Sequence, residues 1–325
     1  MHLVAWAAFL TLIAFFLALD LGVFHKEDEV ISAKSSLKWV GVWFVTAMLF
    51  NVAVYFGYEH QALGMGVTSG LRGKEAATFF FTGYLVEQSL SLDNIFVIAL
   101  VFRFFQVPPQ YQHRVLFWGI LGAIVLRITM ILAGAALIQT FKATTYVFGG
   151  ILVVTAIKMA LAKDDDEFNP EDSRVVKVVR RLLPISPELD GSNFFTVVDG
   201  VRKATPLLLV LVVVELTDVV FAVDSIPAIF GITTDPFLVF TSNIFAIMGL
   251  RSLYFALASA LMDFAYLKHS LVVVLGFVGV KMLIAGYVHI APWISLVVIV
   301  GVLGAGILAS LIARKKKPET PAADP

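Results

Sequence analysis

The stretch VELTDVVFAVDSIPAIF, residues 214–230, carries three carboxylates inside an otherwise apolar run: Glu215, Asp218 and Asp224. A second apolar run, GYLVEQSLSLDNIFVIAL (83–100), carries Glu87 and Asp93. A charged side chain at the centre of a bilayer costs at least about 2.5–3.5 kcal/mol, so such residues mark ion pathways or proton relays by default. The two runs therefore indicate membrane helices that handle a charged ligand.

The composition supports a membrane protein. The 325 residues are 59% hydrophobic and 15% charged, with a mean hydropathy of +0.90, which is more apolar surface than a soluble domain can bury. Each apolar run is near the roughly 20 residues that span a bilayer, so the sequence predicts an all-α polytopic membrane protein with about nine transmembrane helices. The predicted spans are 3–24, 38–58, 76–102, 113–140, 144–163, 206–231, 236–263, 268–289 and 291–313. The first has neither a basic start nor a cleavage site, so we interpret it as a retained helix.

Three pairs of residues indicate an internal repeat. The alignment of SLDNIFVI with LTDVVFAV, and of the segments that follow each, pairs Asp93 with Asp218, Arg127 with Arg251, and Lys158 with Lys281. Each copy is three helices long, and an odd number of crossings makes the second copy enter from the opposite face. The sequence thus predicts an inverted three-plus-three helix repeat, which in transporters places the binding site between the repeats.

The repeat and the loops divide the chain. The predicted organisation is two leading membrane helices (1–60), a first repeat (76–163), a cytoplasmic loop (164–204), a second repeat (206–289), a last membrane helix (291–313) and a basic, then disordered tail (314–325). Within the loop, SRVVKVVRRLL (173–183) predicts an amphipathic helix on the inner membrane surface. The acidic run at 164–167 is interpreted as solvated loop, with cation collection as the alternative.

The distribution of Lys and Arg predicts the orientation. With the N-terminus outside, the outer loops carry only Arg72, Lys74 and Lys142, and all other loop Lys and Arg residues lie inside. Because basic loops stay in the cytoplasm, we expect a multi-pass protein of the cell's inner membrane with a cytoplasmic C-terminus.

The candidate ligands are oxygen donors. The predicted metal-binding residues are Glu87, Asp93, Asn94, Glu215, Asp218, Asp224 and Ser225. Glu215, Asp218, Asp224 and Ser225 lie on one predicted helix. On a regular helix Asp224 would point away from the face that carries Glu215. We expect Pro227 to break the helix near 223–227 and turn Asp224 toward the other acids. The six histidines lie at helix ends or in loops and there is no cysteine, so the set favours Mn²⁺, Mg²⁺ or Ca²⁺ over Cu⁺ or Zn²⁺.

Four further residues carry open alternatives. Arg127 and Arg251 lie mid-helix and either pair with carboxylates as structural ion pairs or act as moving counter-charges that compete with the metal. Lys281, the deeper of the two repeat lysines, is a third candidate counter-charge. Asn243 either caps a helix or belongs to the site.

With these residues assembled, the stretches 214–251, 83–97 and 121–127 closely resemble the TerC family of tellurium-resistance-associated membrane proteins, and most nearly its Alx-type manganese exporters. The resemblance runs from about residue 5 to 313. It implies a fold grouped with lysine-exporter-like transporters, a role in metal homeostasis through export of excess Mn²⁺, and a transport core containing all five intramembrane acids.

The sequence-based hypothesis is therefore export of divalent cations, Mn²⁺ first, across the lipid bilayer with protons as the coupling ion. We expect no enzymatic activity, no permanently bound cofactor and no nucleic-acid partner. Three alternatives are an assembly or metal-delivery partner for secreted proteins, a tellurite-handling oxyanion exporter, and an intramembrane aspartyl protease. The protease needs a dyad such as Asp93 with Asp218, which would leave the other acids unexplained.

Overall fold

The computed structural model describes residues 3–23, 33–141, 143–161, 184–198, 200–257, 266–288, 290 and 292–316. The acidic run, the predicted amphipathic helix and the end of the tail lie outside these residues. The side chains of Asp93 and Asp224 are also outside the described part of the structure.

Ten α-helices are present in the described ranges: α1 Leu3–Val23, α2 Ala33–Glu59, α3 Gly73–Phe104, α4 Pro109–Thr140, α5 Ala143–Leu161, α6 Pro206–Phe230, α7 Pro236–Met248, α8 Leu250–Leu257, α9 Leu267–Leu283 and α10 Pro292–Lys316. Among the described residues, six stretches are long and apolar enough to cross a membrane: Lys34–Glu59, Pro109–Thr140, Ala143–Leu161, Pro206–Phe230, Pro236–Leu257 and Trp293–Ser310. The predicted class, an all-α polytopic membrane protein, is confirmed. The count of nine crossings stays a prediction.

Two helices differ from their predicted form. The span predicted at 236–263 is divided at Gly249 into α7 and α8. By contrast, α6 is continuous from Pro206 to Phe230 with Pro227 inside it, so the break expected near 223–227 is wrong. Pro227 removes only one backbone bond, and membrane helices tolerate proline where neighbouring groups satisfy the freed carbonyl.

A β-hairpin interrupts the long loop, where the sequence analysis predicted no strand. β1 (Phe195–Val198) pairs antiparallel with β2 (Val201–Ala204), and Gly200 has φ +75° in the turn. The local sequence FTVV-DG-VRKA carries the signal for it, because Asp-Gly between β-forming residues is a strong hairpin sequence. Thr205 fastens the hairpin to α6, since its Oγ1 donates to the Asn193 carbonyl at 2.7 Å and its N–H to the Phe194 carbonyl at 3.0 Å.

The helix packing leaves a polar layer between two apolar clusters. α3 packs against α6 and α7, α4 packs against α6, and α5 packs closely against α9. The aromatic cluster, at one end of α3, comprises Trp6, Phe9, Phe50, Phe80, Phe237, Phe240 and Phe245. The aliphatic cluster, at the other end, includes Ile95, Ile98, Val101, Val115, Leu116, Leu207 and Val210. Glu87 lies between Phe80 and Ile95 along α3, and Asp218 lies between the two clusters along α6.

Candidate functional site

Arg127 lies at the centre of the polar layer and joins the two halves of the chain. Its side chain is 1% exposed, and its Nη1 forms an ion pair with the fully buried Glu87 of α3. Its Nη2 donates to Asp218 Oδ1 of α6 at 3.1 Å, and its Nε donates to Asp218 Oδ2 at 3.5 Å. One guanidinium on α4 thus bridges a carboxylate from each predicted repeat.

Neutral polar side chains complete this arrangement. Asn243 of α7 accepts from Arg127 Nη1 at 3.0 Å through Oδ1 and donates to Glu87 Oε2 at 2.9 Å through Nδ2. Ser225 Oγ lies 3.3 Å from Arg127 Nη1, and Asn94 Nδ2 lies 3.5 Å from Asp218 Oδ1. We refer to these residues as the charge network: Glu87, Asn94, Arg127, Asp218, Ser225 and Asn243.

Helical spacing explains why these residues meet. Glu87, Ser91 and Asn94 lie four and then three residues apart, so they share one face of α3, and all three are buried. Asp218 and Ser225 lie seven residues apart on α6 and likewise share a face. Because α3 and α6 pack together, the two faces meet inside the bundle.

Glu215 lies one turn before Asp218 and packs against α4 at Gly122. A Cβ at position 122 would overlap the Glu215 carboxylate as it lies here, so the carboxylate would have to move if residue 122 were larger than glycine. Glu215 Oε2 is buried and has no hydrogen-bond partner among the described residues. A buried carboxylate oxygen without a donor is costly, which makes Glu215 the best candidate here for an oxygen that binds a ligand.

A small cavity adjoins the network on the side of the aliphatic cluster. Its volume is about 20 Å³, and its lining includes Asn94, Thr217 and Asp218. Such a volume holds about one water molecule. The Oδ1 atom of Asn94 is buried without a partner within the described structure, so the network has spare oxygen acceptors at this point.

The described side chains do not form a preassembled metal site. No group of three or more Asp, Glu or His residues among them is arranged to hold a metal ion. Of the seven predicted ligands, Glu87, Asp218 and Ser225 contact Arg127. Asn94 donates to Asp218, and Glu215 lies one turn from Asp218. Asp93 and Asp224 have no described side chains. The guanidinium therefore contacts the oxygens that were predicted to bind a metal.

The other two candidate counter-charges lie elsewhere on the helices. Arg251 is buried on α8 with 7% exposure. Lys281 of α9 donates to Ser295 Oγ at 3.0 Å and lines a larger cavity of about 860 Å³. This open cavity lies where α6 ends and α7 begins, and its polar lining includes Glu75, Gln139, Thr145, Thr233, Asp235 and Lys281. None of the five predicted metal ligands with described side chains lines it.

The sequence alone leaves the role of Asn243 open and does not indicate the contact between Gly122 and Glu215. Asn243 does not cap a helix, because α7 begins at Pro236 and Asp235 is its N-cap. Its position within the run FLVFTSNIFAIM was the available signal, since amides in membrane helices commonly bond across helices. Gly122 gave no signal of its own, because its role depends on where Glu215 lies.

The fold and this site define a polytopic α-helical membrane protein with a buried, mixed-charge network at its centre. Residues 72–318 match the model of the integral membrane protein TerC family, and the chain belongs to that family. A membrane protein of Myxococcus xanthus, named "Uncharacterized membrane protein STKORF319", is 48% identical over 98% of this chain and 96% of its own length. A protein of Escherichia coli K12, named "Putative membrane-bound redox modulator Alx", is 45% identical over 92% of this chain and 91% of its own length. No solved structure matches the chain.

Proposed function

We propose that this protein is a transporter, not an enzyme, that exports divalent metal cations, Mn²⁺ first, from the cytoplasm across the inner membrane. The observation that carries the proposal is the excess of carboxylates over cations in the polar layer. Arg127 pairs with Glu87 and Asp218, and Glu215 lies one helical turn from Asp218 with an unpartnered oxygen among the described residues. If all three acids are ionised, this one guanidinium leaves two of their negative charges unbalanced. A divalent cation would balance them, and hard oxygen ligands suit Mn²⁺, Mg²⁺ and Ca²⁺.

The packing of the helices supports an inverted repeat. In such a repeat, contacts between the first helix of one copy and the second helix of the other should occur twice. The first helix of copy one, α3, packs against α7, and the first helix of copy two, α6, packs against α4. The third helices, α5 and α9, pack against each other, with Gly149 and Gly279 at their contact. In transporters built this way, the binding site lies at the repeat interface near mid-membrane.

The two apolar clusters supply the barriers that alternating access requires. The aromatic cluster separates the network from the end that holds the open cavity, and the aliphatic cluster covers the other end. With both clusters closed, Glu87 and Arg127 are buried and Asp218 is 13% exposed, which is close to an occluded state. Export then requires the aliphatic cluster to open for loading and the aromatic cluster to open for release.

Arg127 acts in this proposal as the internal cation of the unloaded protein. Its guanidinium satisfies Glu87 and Asp218 when no metal is bound, which avoids leaving two like charges buried and unpaired. An arriving metal competes with Arg127 for Asp218 and for the spare oxygens of Glu215 and Asn94. Protons replace the metal on release, which makes proton exchange the proposed coupling.

The test is metal flux in proteoliposomes with a metal-sensitive dye inside. Mn²⁺, Ca²⁺, Zn²⁺ and tellurite are compared, with and without a pH gradient. We expect Mn²⁺ flux that accelerates when the release side is acidic, and its loss in Glu87→Gln and Asp218→Asn. Glu188→Gln, an exposed acid outside the membrane helices, is the matched control and should transport normally.

Three results would contradict the proposal separately. Normal Mn²⁺ flux in both network variants would show that the charge network is not the transport site. Mn²⁺ flux that does not depend on the pH gradient would contradict proton exchange and would leave the proposed binding site standing. Transport of tellurite instead of Mn²⁺ would show that the transported ion is an oxyanion.

A further inference from the structure

The β-hairpin presents an apolar and basic face that the transport site does not use. The strand register places Phe195, Val197 and Arg202 on one face. Phe195 is 44% exposed and Val197 is 69% exposed. The Arg202 guanidinium lies over the Phe195 ring at 4.4 Å from its centroid. We refer to these three residues as the hairpin face.

The base of the hairpin lies against α4 where that helix changes from polar to apolar. Arg114 lies over the Phe194 ring at 5.2 Å and donates to Ser192 Oγ at 2.9 Å. Trp118, which is 48% exposed, meets the same Phe194 ring edge-on at 6.5 Å. The apolar run of α4 begins directly after Arg114, and that of α6 begins directly after the hairpin at Pro206. The hairpin base is therefore at the level where two membrane helices leave the hydrocarbon, the level that Trp and Arg favour.

The charges around the hairpin face fit an anionic surface at this level. Arg202 belongs to the hairpin face, Arg114 lies at the base of the hairpin over Phe194, and Lys203 lies on the opposite face of β2. Of the acids of the same segment, Glu188 and Asp190 lie in the exposed loop that precedes the hairpin, and Asp199 lies in the sequence between the two strands, beside Gly200. Arginine binds phosphate oxygens through two parallel donors, and an aromatic or aliphatic neighbour adds burial at the border of the acyl chains.

We propose that the hairpin face is a membrane-interface anchor that binds anionic phospholipid. Phe195 and Val197 enter the boundary between headgroups and acyl chains, and Arg202 and Arg114 bind the lipid phosphate. The base of the hairpin is held by the bridge between Ile185 and Ala204, but Phe195 and Val197 point outward, and burial against lipid would stabilise these exposed apolar side chains. The partner is a lipid headgroup because the face continues the membrane boundary set by Arg114, Trp118 and Pro206.

The experiment uses the absence of cysteine from the chain. Val197→Cys is labelled with a polarity-sensitive fluorophore, and Glu188→Cys is the matched control in the loop before the hairpin. The labelled full-length proteins are reconstituted into phosphatidylcholine vesicles with and without phosphatidylglycerol. Quenching by headgroup nitroxide lipids is compared with quenching by aqueous iodide.

We expect lipid quenching and protection from iodide at position 197, strengthened by phosphatidylglycerol, and the reverse at position 188. Arg202→Gln should weaken the phosphatidylglycerol dependence roughly fivefold, the equivalent of about 1 kcal/mol per basic residue. Arg202→Lys, which keeps the charge, should restore most of it. Equal iodide access at both positions in both lipids would overturn the proposal. Disulfide cross-linking of Val197→Cys between two chains would overturn it in favour of an interface between copies.

Discussion

The charge network and the start of α7 both hold carboxylates inside the bundle, but they satisfy them in different ways. Asp235 accepts from the backbone N–H groups of Phe237 and Leu238 at 3.0 and 3.4 Å, and from the Tyr58 hydroxyl at 3.0 Å. Glu87 and Asp218 depend on one charged side chain, Arg127. Backbone donors are fixed by the helix, whereas a long side chain can withdraw. Under the proposed mechanism, a carboxylate can exchange its partner for a metal ion only where that partner can move, which separates the network acids from Asp235 at the edge of the open cavity.

The largest effect should come from removing the shared partner. Arg127→Gln leaves Glu87 and Asp218 buried without their cation, and breaking a buried ion pair from one side costs about 3–5 kcal/mol. We expect much less folded protein and a lower thermal midpoint in detergent. The double variant Arg127→Gln with Glu87→Gln should recover part of the stability, because it removes one stranded charge. Wild-type stability of the single variant would show that the ion pair is not structural.

Glu215→Gln should separate transport from stability. Glu215 has a buried carboxylate oxygen without a donor among the described residues. Glutamine has the same shape without the charge, so this substitution removes a negative charge without breaking a described ion pair. We expect loss of Mn²⁺ flux with unchanged or higher thermal stability. Glu75→Gln in the open cavity is the control and should keep its flux. Loss of stability together with flux would mean that Glu215 has a structural partner and is not waiting for a ligand.

Gly122→Ala tests the space that Glu215 occupies. The added methyl would overlap the Glu215 carboxylate and displace it, so flux should fall several-fold, with little loss of stability because the end of a flexible side chain can move aside. Gly150→Ala on α5, where a Cβ meets nothing within 4 Å, is the matched control. Equal behaviour of the two alanine variants would show that the carboxylate lies elsewhere.

The smallest effect on transport is expected at Asp235, the acid that backbone N–H groups hold at the start of α7. Asp235→Ala removes an N-cap, which costs about 1 kcal/mol of stability. We expect a modestly lower thermal midpoint and near-normal Mn²⁺ flux, because this acid is held by the helix and Tyr58. Loss of flux as complete as in Asp218→Asn would mean that the open cavity is part of the binding site.

The sequence located the acids but not their arrangement. Hydropathy and helical period placed Glu87, Asn94 and Asp218 on inward faces, because both are local properties of a chain that must hide charge from lipid. They did not show that Arg127 reaches both carboxylates, since that depends on how α4 packs against α6 and α7. They also misjudged Pro227, because whether a proline breaks a membrane helix depends on the neighbours that satisfy the freed carbonyl.

By itself, the sequence determined that this is a multi-helix membrane protein with five acids inside two of its apolar runs, because an apolar composition places helices in lipid and makes buried charge costly. Only the tertiary structure decided that Asn243 joins Glu87 to Arg127, that Gly122 admits Glu215, and that a hairpin precedes α6 at the membrane boundary. These are contacts between residues far apart in the chain. They are fixed by the distances between packed helices, which no local pattern encodes.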